Sequence, residues 1–256
     1  MSFQPNRRLL RACLISLLLG IAAGLWIRPS TSEAETEALY FVSSGHRLTN
    51  EYGFLNYWRA GDGSRTIGAP ISEPFEAQGL IVQYFEYARL EKHPQYDGAI
   101  LRGRLGAEYA DALWRSFHRP LNPEQPGRHR FSETGHTLGE PFAAFWETNG
   151  GIDVFGFPIS EPEWEYVGTD LILVQYFERA RLEHRPASGT DAVAIGDLGR
   201  TLALLHGIPT GAVDPAGAFS VDNNGFAVVP TAVPPTQVPP TAVLPTAAPL
   251  PAPTAV

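Results

Sequence analysis

Cysteine is nearly absent: the 256 residues contain one, Cys13, inside an uncharged N-terminal run. Outside that run the chain can form neither a disulfide nor a thiolate metal site. Lipidation of Cys13 is not expected, because Arg11 stands just before it and the apolar run continues past it. Basic charge is also scarce. Against 27 acidic residues stand 19 Lys and Arg, for a formal charge of −8; without residues 1–34, which carry four arginines and one glutamate, it becomes −11. Phosphate backbones require a basic footprint, so nucleic acid is not an expected partner. Zinc-type histidine spacing is missing too. No second histidine stands three to five residues from His46 or His136, and neither Ser44 nor Thr134 sits in a nucleophile elbow, so no metal, cofactor or catalytic residue is expected.

The chain has one long hydrophobic run, residues 12–27. As a helix these 16 residues would span about 24 Å, short of a bilayer core of about 30 Å. Arg7, Arg8 and Arg11 precede the run, and Ser32-Glu33-Ala34 offers small residues at signal-peptidase spacing. Residues 1–34 therefore read as a cleaved signal peptide, with an uncleaved anchor as the alternative and the only expected membrane contact. The expected location is extracytoplasmic, secreted or at the cell surface. At the other end, residues 230–256 consist of Pro, Thr, Ala, Val, Leu and one Gln. That composition cannot bury a core and predicts a disordered, polyproline-like tail, preceded by a linker over 213–229.

Between these ends the sequence repeats itself. Pro70-Ile71-Ser72-Glu73-Pro74 and Gln83-Tyr84-Phe85-Glu86-Tyr87-Ala88-Arg89-Leu90-Glu91 recur as Pro158-Ile159-Ser160-Glu161-Pro162 and Gln175-Tyr176-Phe177-Glu178-Arg179-Ala180-Arg181-Leu182-Glu183. Such self-similarity marks repeated supersecondary units, here placed at 39–118 and 128–212. Each begins with Gly-His. A short helix should follow, with Phe54, Tyr57 and Trp58 on one stripe in the first copy and Phe142, Phe145 and Trp146 in the second. A proline-pinned loop comes next, then a hairpin turning at Gln78-Gly79 or Gly168-Thr169-Asp170, with long strands over 80–91 and 171–183. A third short strand is expected at 97–101 and 191–195. The last helix of each copy follows Gly-x-Leu-Gly, with Ala110, Leu113, Trp114 and Phe117, or Leu198, Leu202 and Leu205, on one face. The expected fold is α+β, two tandem pseudo-symmetric repeats packed as one compact pair. The copies differ by two residues before the first helix and four in the hairpin. These unequal loops are where function is expected to sit.

Thr134-Gly135-His136, Asn149-Gly150-Gly151, Phe155-Gly156-Phe157-Pro158-Ile159-Ser160-Glu161 and the Gln175–Glu183 stretch together resemble a repeat family of exported bacterial proteins. The Phe-Gly-Phe-Pro core is also loosely similar to the LGFP repeat of cell-envelope proteins. The first copy departs from it, with Ile67-Gly68-Ala69-Pro70 at that place. The resemblance implies an envelope location and a non-catalytic binding role, with peptidoglycan or another polysaccharide as partner, and carries over no active site.

Among individual residues, Trp58, Trp146, Tyr84 and Tyr176 are candidate platforms for stacking on sugar rings, with Gln83 and Gln175 supplying hydrogen bonds. Most aromatics must fill the core, and one or two per repeat should stay exposed; only those can meet a ligand. If the strands ran unbroken, Glu86 would share a face with Val82, Tyr84, Ala88 and Leu90. Glu86 and Glu178 are expected to pair with the repeat arginines, Arg89 and Arg181 among them, or with loop backbone. Their alternative role is as acids of a polysaccharide hydrolase. His46 and His136 read as turn-stabilising or helix-start residues. The chain is thus expected to be an exported, non-catalytic repeat protein that binds wall or extracellular glycan. A wall hydrolase and a self-associating surface protein are the alternatives.

Overall fold

A strand, and no helix, begins directly at the Gly-His motif of the first half. In the computed structural model, which describes residues 37–120, 126–185 and 192–228, β1 (Ala38–Phe41) and β2 (His46–Thr49) pair antiparallel. Leu39, Phe41 and Leu48 face inward. The helix expected straight after Gly-His is therefore preceded by a strand. That helix, α1 (Phe54–Ala60), buries Phe54, Leu55 and Trp58 and is followed by a short α2 (Gly63–Thr66). Then β3 (Phe75–Ala77), β4 (Leu80–Tyr84), β5 (Arg89–His93) and β6 (Ala99–Arg102) form an antiparallel meander in that order. Helix α3 (Leu105–Ala112) follows.

After residue 126 a related order appears. β7 (Arg128–Arg130) pairs with β8 (Thr137–Gly139), α4 (Phe142–Thr148) and α5 (Gly151–Phe155) follow, and β9 (Glu163–Val167), β10 (Asp170–Tyr176), β11 (Arg181–His184) and β12 (Val193–Ile195) make a second four-stranded meander. Helix α6 (Leu198–Leu205) comes next. Helices beside antiparallel sheets make the class α+β.

Several expectations need correction. The stretches 80–91 and 171–183 are not single strands, because a tight turn at 85–88 and 177–180 folds each back on itself. Phe85 N–H donates to Ala88 O and Phe177 N–H to Ala180 O, both at 2.8 Å. Glu86 and Glu178 therefore sit in turns and not on an apolar strand face. Helix α3 ends at Ala112, which leaves Leu113 and Trp114 exposed beyond it; Leu205 is exposed as well. The segment 213–229 is more than a linker. Its β13 (Phe219–Val221) runs parallel to β1 and completes the sheet β13-β1-β2. Residues 1–34 and 230–256, read as signal peptide and tail, lie outside the described residues.

Each meander covers its own aromatic core. Phe41, Phe54, Trp58, Phe85 and Leu90 pack in one, and Phe131, Phe142, Trp146, Phe155, Phe177 and Leu182 in the other. The terminal helices cross between the halves. Leu198, Leu202 and Ala203 of α6 pack with Ile71 and Tyr84 of the first half, while Tyr109 of α3 packs on Ile172, Val174 and Tyr176 of the second. Glycine permits the crossing. A Cβ on Gly106 would lie 1.9 Å from the Phe177 carbonyl oxygen, and one on Gly199 would lie 1.9 Å from that of Phe85.

Candidate functional site

The proline-pinned loops are fastened from within. Glu73 accepts from the Arg47 backbone N–H at 3.0 Å and the Arg47 Nε at 3.1 Å, with His46 Nδ1 at 3.4 Å. Burial pushes the Glu73 carboxyl up, but these hydrogen bonds and the Arg47 charge outweigh it and hold the group below its ordinary range. In the second half Glu161 accepts from Thr137 N–H at 2.9 Å and Arg128 at 3.2 Å, with His136 Nδ1 at 3.3 Å. Burial lowers the His136 pKa more than Glu161 raises it. His46 opens β2 and His136 stands just before β8, so neither starts a helix. The glutamines complete the fastening. Gln83 donates to the Arg47 and Ser72 carbonyls at 2.8 and 2.9 Å, and Gln175 to those of Thr137 and Ser160 at 2.7 and 2.8 Å. Both are fully buried, which removes them from contact with a ligand.

Trp58 and Trp146 are likewise used by the scaffold. Their indole N–H groups donate to Gly68 O at 2.9 Å and Gly156 O at 3.1 Å, and their rings meet Phe41 and Phe131 edge-on. Trp58 and Tyr176 are buried and offer no open face. Trp146 only borders a hollow of about 360 Å³ with His129, Phe131 and Leu138, and Tyr84 lies in the floor of a cavity. The expected platforms are thus core residues, because units this small use their largest rings for burial.

Glu86 and Glu178 join the halves. Glu86 accepts from Ala69 N–H at 3.0 Å and from Arg200 of α6 at 3.3 Å; Glu178 accepts from Phe157 N–H at 3.2 Å and from Arg104 at 3.1 Å. Their arginine partners are thus Arg200 and Arg104, and neither glutamate lines a described cavity.

Above each sheet tyrosine sits a charged network, and the two networks differ. Over Tyr84, Arg89 binds Glu91 and both oxygens of Glu108, and it donates to the Tyr84 hydroxyl at 3.1 Å. Burial works against the Arg89 charge, but the carboxylates raise its pKa further above the ordinary value than burial lowers it. A cavity of about 440 Å³ opens here, walled by Phe75, Leu80, Val82, Tyr84, Glu108 and His206. Over Tyr176 the space is closed. Arg115 reaches Glu163 and Glu165 at 2.7 Å each, and Phe117 packs on the tyrosine at a tilt, ring centres 5.1 Å apart. Burial, together with Glu165, pushes the Tyr176 hydroxyl up to about 12, although the adjacent Arg181 pulls it down.

The second hairpin also differs on its outside. Both hairpins turn on two residues, Gln78-Gly79 and Gly168-Thr169, but β9 has five residues where β3 has three. Strand β9 carries Trp164, and in its extra length Tyr166, on one face, 58 % and 71 % exposed, with Leu171 directly opposite Tyr166 and exposed as well. Alternate residues on a strand lie about 7 Å apart, so the two rings form a short aromatic row. After helix α3, Trp114 is 95 % exposed and held at φ 54°, a conformation that bulky residues avoid. The neighbouring Arg115 ties that turn to β9 through Glu163 and Glu165.

Comparison with protein-family models gives no match, and no curated protein matches the chain. The geometry alone carries the functional reading. Among the described residues no group of His, Cys, Asp or Glu is arranged to hold a metal, and no helix is long and apolar enough to cross a membrane. The residues missed by sequence reasoning are Trp164, Tyr166 and the Glu73 and Glu161 anchors. One signal for the first two was present: Glu163-Trp164-Glu165-Tyr166 alternates with strand period. Its sense is inverted, since the glutamates take the covered side under Arg115 and the aromatics face solvent.

Proposed function

We propose that this chain is an exported, non-catalytic protein of the cell envelope or cell surface, built from two tandem pseudo-symmetric repeats, that binds wall or extracellular glycan. The observation that carries the proposal is the solvent-facing row of Trp164 and Tyr166 on the lengthened β9–β10 hairpin. Flat aromatic faces bind sugar rings by burying apolar area without demanding charge. An acidic surface disfavours anionic polymers and leaves neutral sugars acceptable. The N-terminal run supports export, and the doubled Gln-Tyr-Phe-Glu stretch supports the repeat reading and its likeness to the exported bacterial repeats.

Retention on insoluble peptidoglycan and on a panel of common polysaccharides tests the proposal. At least one should retain the protein, and failure on all of them would remove the glycan reading. The second reading is self-association, favoured by the position of β9 at the edge of its sheet with apolar side chains exposed. A concentration-independent monomer in sizing experiments would exclude it.

A further inference from the structure

The cavity over Tyr84 lies apart from the β9–β10 row and owes nothing to the glycan reading. It rests on how α3 and α6 end. Leu113 and His206 cap the helices, Trp114 and Gly207 follow at positive φ, and the next N–H groups, of Arg115 and Ile208, return to the carbonyls of Ala110 and Ala203 at 2.9 and 2.8 Å. Ile208 thus occupies the backbone position in the first half that Arg115 occupies in the second. Arg115 stacks its guanidinium on Tyr176 at 5.2 Å, whereas Ile208 leaves about 440 Å³ open over Tyr84. The chain fills one of two corresponding spaces with its own cation and leaves the other vacant.

The walls of the vacant space favour the same chemistry. All five N–H groups of Arg89 are taken, by Glu91, Glu108 and the Tyr84 hydroxyl, so no donor there remains for an anion. Arg104 at the rim is engaged by Glu178 at 3.1 Å. Beside the Tyr84 hydroxyl, Arg89 is set between two carboxylates, Glu91 and Glu108. Phe75, parallel to Tyr84 at 6.2 Å, adds an aromatic wall of the kind that attracts cations. The volume suits a small molecule.

We propose that the cavity over Tyr84 binds a small organic cation carrying a guanidinium or primary ammonium group. Calorimetric titration of the purified full-length chain with agmatine tests this, with benzoate and N-acetylglucosamine as anionic and neutral comparisons. Saturable one-to-one binding of agmatine alone is expected. Ile208→Arg, which supplies the second half's own side chain, should weaken agmatine at least tenfold, and Glu108→Gln should do the same by removing an acceptor. Absence of saturable agmatine binding, equal or tighter binding of benzoate or the sugar, or unchanged affinity in both variants would overturn the proposal. If Ile208→Arg does not fold, Glu108→Gln decides alone.

Discussion

The two halves build the same kind of scaffold and finish it differently. In the first, the sheet tyrosine faces a cavity and β3 is a three-residue strand carrying Glu76; in the second, Arg115 and Phe117 close over the tyrosine, and the five-residue β9 carries Trp164 at the corresponding register. What the halves share is internal: tryptophan indoles bonded to glycine carbonyls, glutamines bonded to loop backbone, glutamates anchoring the loops. What differs lies where side chains meet solvent or a cavity. Buried hydrogen bonds tolerate little change, while surface substitutions cost little, so the differences between the halves collect at the hairpin tip and above the tyrosines.

The crossing of α3 and α6 gives the strongest way to break this comparison. Gly106→Ala or Gly199→Ala drives a Cβ into a backbone carbonyl of the other half, and each should cost about 3 kcal/mol. Denaturant unfolding should show both halves lost in one transition, since each helix packs in the other half's core. Separate transitions would mean that the halves are independent. Next in size is Arg115→Ala, which opens the second half's closed space, leaves Glu163 without its cation and leaves Glu165 only Arg181 at 3.5 Å. About 2 kcal/mol is expected, against about 1 kcal/mol for Ile208→Ala. Equal losses would erase the distinction between the two spaces.

Acid should separate the halves as well. His136 is held below its ordinary pKa by burial, against the pull of Glu161, with Arg128 and Arg119 adding positive charge nearby. A depressed histidine contributes fully above its unfolded pKa of about 6.5, and that contribution is lost as pH falls through the folded value. Glu73 is depressed too, so its contribution is lost only below about pH 4.3. Stability measured from pH 7 to pH 5 should therefore decline, and His136→Gln should flatten that decline while leaving the steeper loss below pH 4.3. The smallest effect concerns Trp114. Replacing it with glycine, the residue found at the corresponding position 207, relieves left-handed strain at the cost of a freer unfolded chain; a gain of about 0.5 kcal/mol in thermal unfolding is expected.

Much of the scaffold could be read from the sequence because its signals are local. Apolar stripes mark α1 and α4, Gln78-Gly79 and Gly168-Thr169 mark hairpin turns, and Gly-x-Leu-Gly marks the starts of α3 and α6. The turns inside the two Gln-Tyr-Phe-Glu stretches gave no such signal. They contain no glycine, proline or asparagine, and they are held from a distance: Glu86 and Tyr87 N–H groups donate to Ala69 and Ile67, and Glu178 and Arg179 to Phe157 and Phe155. β13 was hidden for a related reason, since three residues become a strand only by lying against β1. The candidate site was the least readable. The duplicated aromatics looked like ligand platforms and are core, whereas the exposed ones sit in unduplicated residues of the longer hairpin, on a strand whose glutamates face inward.

The decisive measurement compares the wild-type chain with the Trp164→Ala/Tyr166→Ala double variant in co-sedimentation with whichever glycan retains the wild type. Both side chains are largely exposed, so thermal stability should change by less than about 1 kcal/mol while retention falls at least tenfold. Undiminished retention by a folded double variant would contradict a glycan-binding role for the second hairpin.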